Sequence, residues 1–258
     1  MSVGSTNQSA PVWPTPESRD TAYWAKPVGR LSPSQMPPGA LDLNVVGRRM
    51  VGPIQGFGQM WQKTFRVGLE GVSVTPAEAI RAWKEHFARF WPTGASFYAP
   101  LAGIAPGEVG LLTLSPLPGP VRLSTGVLVI YADEESFTFM TPEGHLLAAW
   151  ITFSAFVEDE ITFVQAQALE RAGDPLYELG AALGGHRMNN VFWEQTLRNL
   201  ARHFGVEGRV HTRVVCVDPH RQWSKATNIW RNAGVRSGLY AAGTPLRWIA
   251  RSFHHATH

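Results

Sequence analysis

One cysteine in 258 residues, Cys216, excludes an internal disulfide and fits a reducing compartment. No uncharged apolar run reaches about 18 residues, so no membrane-spanning helix is expected. The opening MSVGSTNQSAPVWPTPES has neither a basic flank nor an apolar stretch, so it does not read as a secretory signal, and a cytoplasmic location is expected. No GxxxxGK[ST], GxGxxG, GxSxG, HExxH, CxxC or EF-hand loop occurs, nor any internal repeat. Nucleotide, metal and triad chemistries are therefore not expected, no cofactor is called for, and the chain leans away from being an enzyme. Charged residues make up only 17%.

What is present is a hydrophobic fraction of 44%, ample for a packed core, and an uneven charge distribution. Residues 61–205 carry 10 Lys and Arg against 15 Asp and Glu, whereas residues 206–258 carry 8 against 2. An acidic centre thus precedes a basic tail. Either the tail lies back over the acidic domain, or it meets an anionic partner such as nucleic acid or a lipid surface.

Three regions follow from composition and pattern: a Pro-rich, largely disordered segment (1–58), a folded domain (59–217) and a basic, Trp-bearing extension (218–258). Seven prolines fall within residues 1–40, among Ser, Thr and Gly, a composition that buries too little apolar surface to offset ordering entropy. Trp13 and Trp24 are unusual there and could dock on the domain, the favoured reading, or on a partner. Residues 62–71 alternate Phe65, Val67 and Leu69, the period of a strand. Thr75, Pro76 and Glu78 have the spacing of an N-cap, first-turn proline and capping box. Ile80, Trp83, Phe87 and Phe90 then form one helical stripe. Apolar runs at 109–114, 121–131, 136–140, 148–157 and 160–169, with turn signals between them, read as an antiparallel meander. A helical region opens at Asp174-Pro175, is interrupted at Gly184-Gly185, and runs from about 187 to 203. Its expected buried stripe is Met188, Val191, Phe192, Leu197, Leu200 and Phe204. Residues 208–217 read as one more strand.

This strand–helix–meander–long-helix order over residues 60–205 resembles the SRPBCC superfamily, the helix-grip fold of START-related carriers and birch-pollen allergen-like proteins. Residues 131–145 (YADEESFTFMTPEGH) and 184–205 (GGHRMNNVFWEQTLRNLARHFG) look like those of a bacterial branch of unknown function. The resemblance implies an α+β fold, a curved antiparallel sheet wrapped around a long C-terminal helix. It also implies an apolar cavity between the two, and the terminal extensions could cover its mouth.

His145, in the turn Pro142-Glu143-Gly144, and His186 are the candidate acid/base residues. His145 is equally a turn histidine bonded to backbone. His186, Asn189, Asn190 and Trp193 recur at helical spacing, so amides and an indole could orient a ligand or simply pack against the sheet rim. Met140, Trp150, Phe153, Phe163 and Phe192 are the large apolar residues expected to face inward; that some of them line a cavity rests on the resemblance. Trp91, Phe97 and Tyr98 could form a lip. Arg221, Lys225, Arg231, Arg236, Arg247 and Arg251 interleave with Trp223, Trp230 and Trp248, as internal cation–π pairs or as a surface for bases or lipid. His254, His255 and His258 read as a frayed tail rather than a metal site.

The function expected is binding or carriage of a hydrophobic small molecule such as a lipid, polyketide or aromatic. The alternatives are a cyclase- or dehydratase-like enzyme using His145 or His186, and an interaction module acting through its Pro-rich and basic ends. Ligand identity and oligomeric state are not specified by the sequence.

Overall fold

The computed structural model describes residues 21–33, 36–115 and 122–242. Trp13, Arg247, Trp248, Arg251, the three terminal histidines and the prolines at 116, 118 and 120 lie outside them.

Period-two alternation becomes sheet at each place where it was found. The strands are β1 (Met50–Val51), β2 (Met60–Gly68), β3 (Ala95–Tyr98), β4 (Val109–Leu114), β5 (Leu123–Ala132), β6 (Ser136–Pro142), β7 (Leu147–Glu158), β8 (Ile161–Ala172) and β9 (His211–Asp218). All pairings are antiparallel, in the order β3-β4-β5-β6-β7-β8-β2-β9, with β1 added to β6. The first long strand, β2, therefore closes against β8, the last of the meander, with Phe65 opposite Ala166 and Val67 opposite Val164. The helices are α1 (Pro76–His86), α2 (Pro175–Gly180), α3 (His186–His203) and α4 (Ala233–Ala242). This is a helix-grip fold.

The capping box at the start of α1 is complete: Glu78 N–H donates to Thr75 Oγ1 and Glu78 Oε2 accepts from Thr75 N–H. Between α2 and α3 the expected interruption is a five-residue π-type turn, Ala181–Gly185, in which Gly184 has φ 121°. Residues 95–98, where Phe97 and Tyr98 are expected as part of a lip, form the edge strand β3, with Phe97 turned inward to the core and Tyr98 packed outward.

α1 and α3 lie on the concave face. Beneath them Trp83, Phe87, Phe97, Phe137, Phe139 and Phe153 are buried and interlocked. Centroid separations run from 4.6 Å (Phe137 to Phe153) to 6.0 Å (Trp83 to Phe137), mostly edge-on. The stripe expected on α3 is partly corrected. Leu197 and Leu200 are buried, but Met188 and Val191 are more than half exposed, because the face that turns inward near the start of α3 carries polar residues instead.

The opposite face of the sheet is also covered. From residue 21 the Pro-rich segment, expected to be disordered, is ordered wherever it is described. Trp24 bridges to Tyr131, and Leu31 and Val45 are buried on Val109, Leu111 and Leu128. Gly126 is required there, since a Cβ would lie 2.9 Å from Val45 Cγ2 and 2.7 Å from the Gly110 carbonyl. The basic extension lies back over the acidic domain through residue 242. β9 pairs with β2, Arg221 pairs with Glu178, Arg231 with Glu143 and Arg171 with Asp218, and Asn44 Nδ2 donates to Ser237 Oγ of α4.

Candidate functional site

Inward positions of β2 read Trp61, Lys63, Phe65, Val67, and those of β8 read Val164, Ala166, Ala168, Glu170. Each strand thus ends its apolar run with a charge. Lys63 is fully buried and Glu170 nearly so, with Nζ 2.8 Å from Oε1. The ammonium sits off the hydrogen-bonding direction, so the contact is a charge pair and its N–H groups lack an aligned acceptor. Asn189 of α3 reaches down to the same carboxylate, Nδ2 lying 3.2 and 3.3 Å from its two oxygens.

His186, at the first position of α3, stands against Trp61 with ring centroids 5.1 Å apart. Burial, reinforced by Lys63, lowers the imidazole pKa, against the opposing pull of Glu170 and Glu178. The surroundings of His186 therefore favour its neutral form. Trp61 Nε1, Asn189 Oδ1 and Asn190 Oδ1 are buried without hydrogen-bond partners. Buried polar groups are overwhelmingly satisfied in folded proteins, so this concentration of orphaned groups on β2 and the first half of α3 is unusual. An apolar wall adjoins it, where Trp193 packs on Phe153 at 5.4 Å and Trp91 on Phe192 at 5.0 Å.

Of the residues singled out from the sequence, His186, Asn189, Asn190, Phe192, Trp193 and Phe153 thus share the concave side. Met140, Trp150 and Phe163 do not. Met140 and Trp150 are cross-strand partners on the outer face, where the Trp150 indole lies beside Gly52. Phe163 stacks on Phe156 with the Arg66 guanidinium 3.9 Å above its ring. The alternation that puts Phe139, Phe153 and Val164 inside puts these three outside.

His145 is likewise removed from the concave face. It sits in the β6–β7 turn, its Nδ1 3.1 Å from Leu147 N and 3.0 Å from Leu147 O, and burial pulls its pKa down to about 4. Trp91 and Phe97 join the aromatic core instead of forming a lip. The continuous apolar cavity expected between sheet and helix is filled by aromatic side chains over α1 and the later half of α3. Lys63, Glu170 and Trp61 were missed, although a readable signal existed: a charge at the inward phase of an otherwise apolar strand.

No family model and no curated protein matches the sequence. Among solved structures, this chain is similar to ginseng major latex-like protein 151 from Panax ginseng, with 15% identity over 58% of this chain and 100% of that one, TM-score 0.38. It is similar to KanY, with 13% identity over 58% and 99%, TM-score 0.42. It is also similar to the di-domain ARO/CYC StfQ from the steffimycin biosynthetic pathway, with 12% identity over 57% and 50%, TM-score 0.42. Strand order, not these likenesses, carries the fold assignment.

Proposed function

We propose that this protein binds a hydrophobic small molecule bearing a polar end, held on the concave face beneath the first half of α3. The observation that carries the reading is the buried Lys63–Glu170 pair with unpartnered polar atoms of Trp61 and Asn189 on the same side. A buried ion pair costs more in desolvation than it returns unless further hydrogen bonds complete it. A ligand hydroxyl, carbonyl or carboxylate would supply them, while Trp61 and Trp193 offer ring faces to its apolar body. Because aromatic rings fill the rest of the interior, entry requires α2 and α3 to part. The π-type turn at Gly184 is the natural place for that movement.

The enzyme alternative retains His186, which among the described residues is the histidine beside Lys63 and Glu170. Native mass spectrometry of freshly purified protein, followed by organic extraction, tests the binding reading. A discrete extra mass that leaves on denaturation is expected, and it should be absent from the Lys63→Met/Glu170→Leu double variant. A clean ligand-free mass from several expression hosts, with no uptake of added lipid or aromatic probes, would refute it.

A further inference from the structure

His145, excluded from the concave face, belongs to a different recess on the other side of the sheet. This recess of about 190 Å³ is lined in part by Gln55, Glu143, His145, Lys225, Asn228 and Arg231. It lies at the seam where the C-terminal extension crosses the β6–β7 turn. That crossing is tight: Gly144 has φ 86°, and a Cβ there would run into the Arg231 carbonyl. Ala233 N–H donates to Gly144 O at 2.9 Å, and Asn228 Nδ2 donates to the carbonyls of Gln55 and Gly173. The walls are therefore held by one backbone bond and two from the uncharged Asn228 amide, independent of any charge inside them.

The charges inside are unbalanced. Lys225 makes no ion pair among the described residues, and Arg231 gives one nitrogen to Glu143 at 3.2 Å, leaving most of its N–H groups unused. His145 is 8% exposed, and with Nδ1 engaged by Leu147 its other ring nitrogen is left without a partner. Behind the recess, outside its lining, Arg48 has a buried Nη2 with no partner and is repelled by Arg231 and Arg236 and attracted by Glu143. Two cations, Lys225 and Arg231, thus line the recess with one carboxylate, Glu143, and a neutral imidazole, in a space large enough for a tetrahedral oxyanion.

We infer that this seam is a binding site for a compact phosphoryl oxyanion, either free phosphate or the phosphate of a small monoester, held by Lys225, Arg231 and the His145 ring. Forked guanidinium donors and an ammonium are the groups that recognise phosphate oxygens best. A recess of this size admits one such group but not a nucleic-acid backbone. The site is on the face opposite the concave group and does not depend on the reading of that group.

Inorganic phosphate, titrated against sodium chloride of matched ionic strength, provides the test. Thermal unfolding should rise by a few degrees at saturating phosphate. Calorimetry should show binding at least tenfold weaker in Lys225→Gln and in Arg231→Gln. Lys225 makes no ion pair among the described residues, so its variant keeps the test open should Arg231→Gln disturb the seam. Arg81→Gln, a charge removed from exposed α1, should bind as the parent does. Tighter binding of phenyl phosphate would identify a monoester as the ligand class, and tighter inorganic phosphate the free anion. The proposal fails if phosphate does nothing beyond chloride, or if Lys225→Gln and Arg231→Gln respond as the parent does.

Discussion

Two buried groups show how much one side chain decides here. Burial disfavours the His145 imidazolium and pulls its pKa down to about 4 in the folded chain, from about 6.5 unfolded. Between those values the unfolded state binds more protons, so stability rises with pH across the window and falls as pH drops through it. The loss from pH 6.5 to 4 should approach about 3 kcal/mol, and His145→Gln should flatten that part of a urea-unfolding profile. Glu143, Lys225 and Arg231 surround the ring, and repeating the titration at high salt separates their influence. Lys63 makes the second case. Lys63→Met leaves Glu170 buried and unpaired and should cost about 3–5 kcal/mol. The double variant Lys63→Met/Glu170→Leu should recover most of that in the same assay. If single and double variants are equally unstable, the pair is not the coupled unit described.

At the scale of elements, caps and turns behave as the residue types dictate. Thr75→Ala removes the acceptor for Glu78 N–H and should destabilise by about 1 kcal/mol, measured by thermal unfolding. Gly184→Ala forces a side chain into the φ 121° conformation that separates α2 from α3 and should cost about 1–3 kcal/mol. The starts of α1 and α2 were legible because Thr75-Pro76 and Asp174-Pro175 are chemical signals local to the chain. The strand β3 was not, since four residues after Pro92 and Gly94 show no alternation long enough to read. Met188 and Val191 misled for a related reason: an apolar stripe marks a helix face but not whether a partner covers it.

For the whole molecule, the grip is held by rings from distant strands and α1. Phe153 touches Trp83, Phe87, Phe137, Phe139 and Trp193, so Phe153→Ala should cost about 3–5 kcal/mol in denaturant unfolding. Among the described residues, no helix is long and apolar enough to cross a membrane. The described parts of the Pro-rich segment and of the basic tail cover the outer face, the tail in line with the reading that it lies back over the domain. Their reach could not be read from composition, because Leu31, Val45 and Asn232 are unremarkable until the sheet is assembled beneath them. The charge asymmetry was legible and its resolution was not: Arg221, Arg231 and Arg171 find partners that lie 43, 88 and 47 residues away along the chain.

The sequence by itself determined the period of each long strand, the capped starts of α1 and α2, the break at Gly184 and hence the helix-grip order, all of which depend on residues within a few positions of one another. It also placed His186, Asn189, Asn190 and Trp193 on one helical face. Tertiary structure alone decided which phase of each strand turned inward, sending Phe153 to the core and Met140, Trp150 and Phe163 outside. It alone brought Lys63 to Glu170, residues 107 positions apart joined by the closure of β2 on β8. Register across a sheet is a long-range property, and no local pattern encodes it.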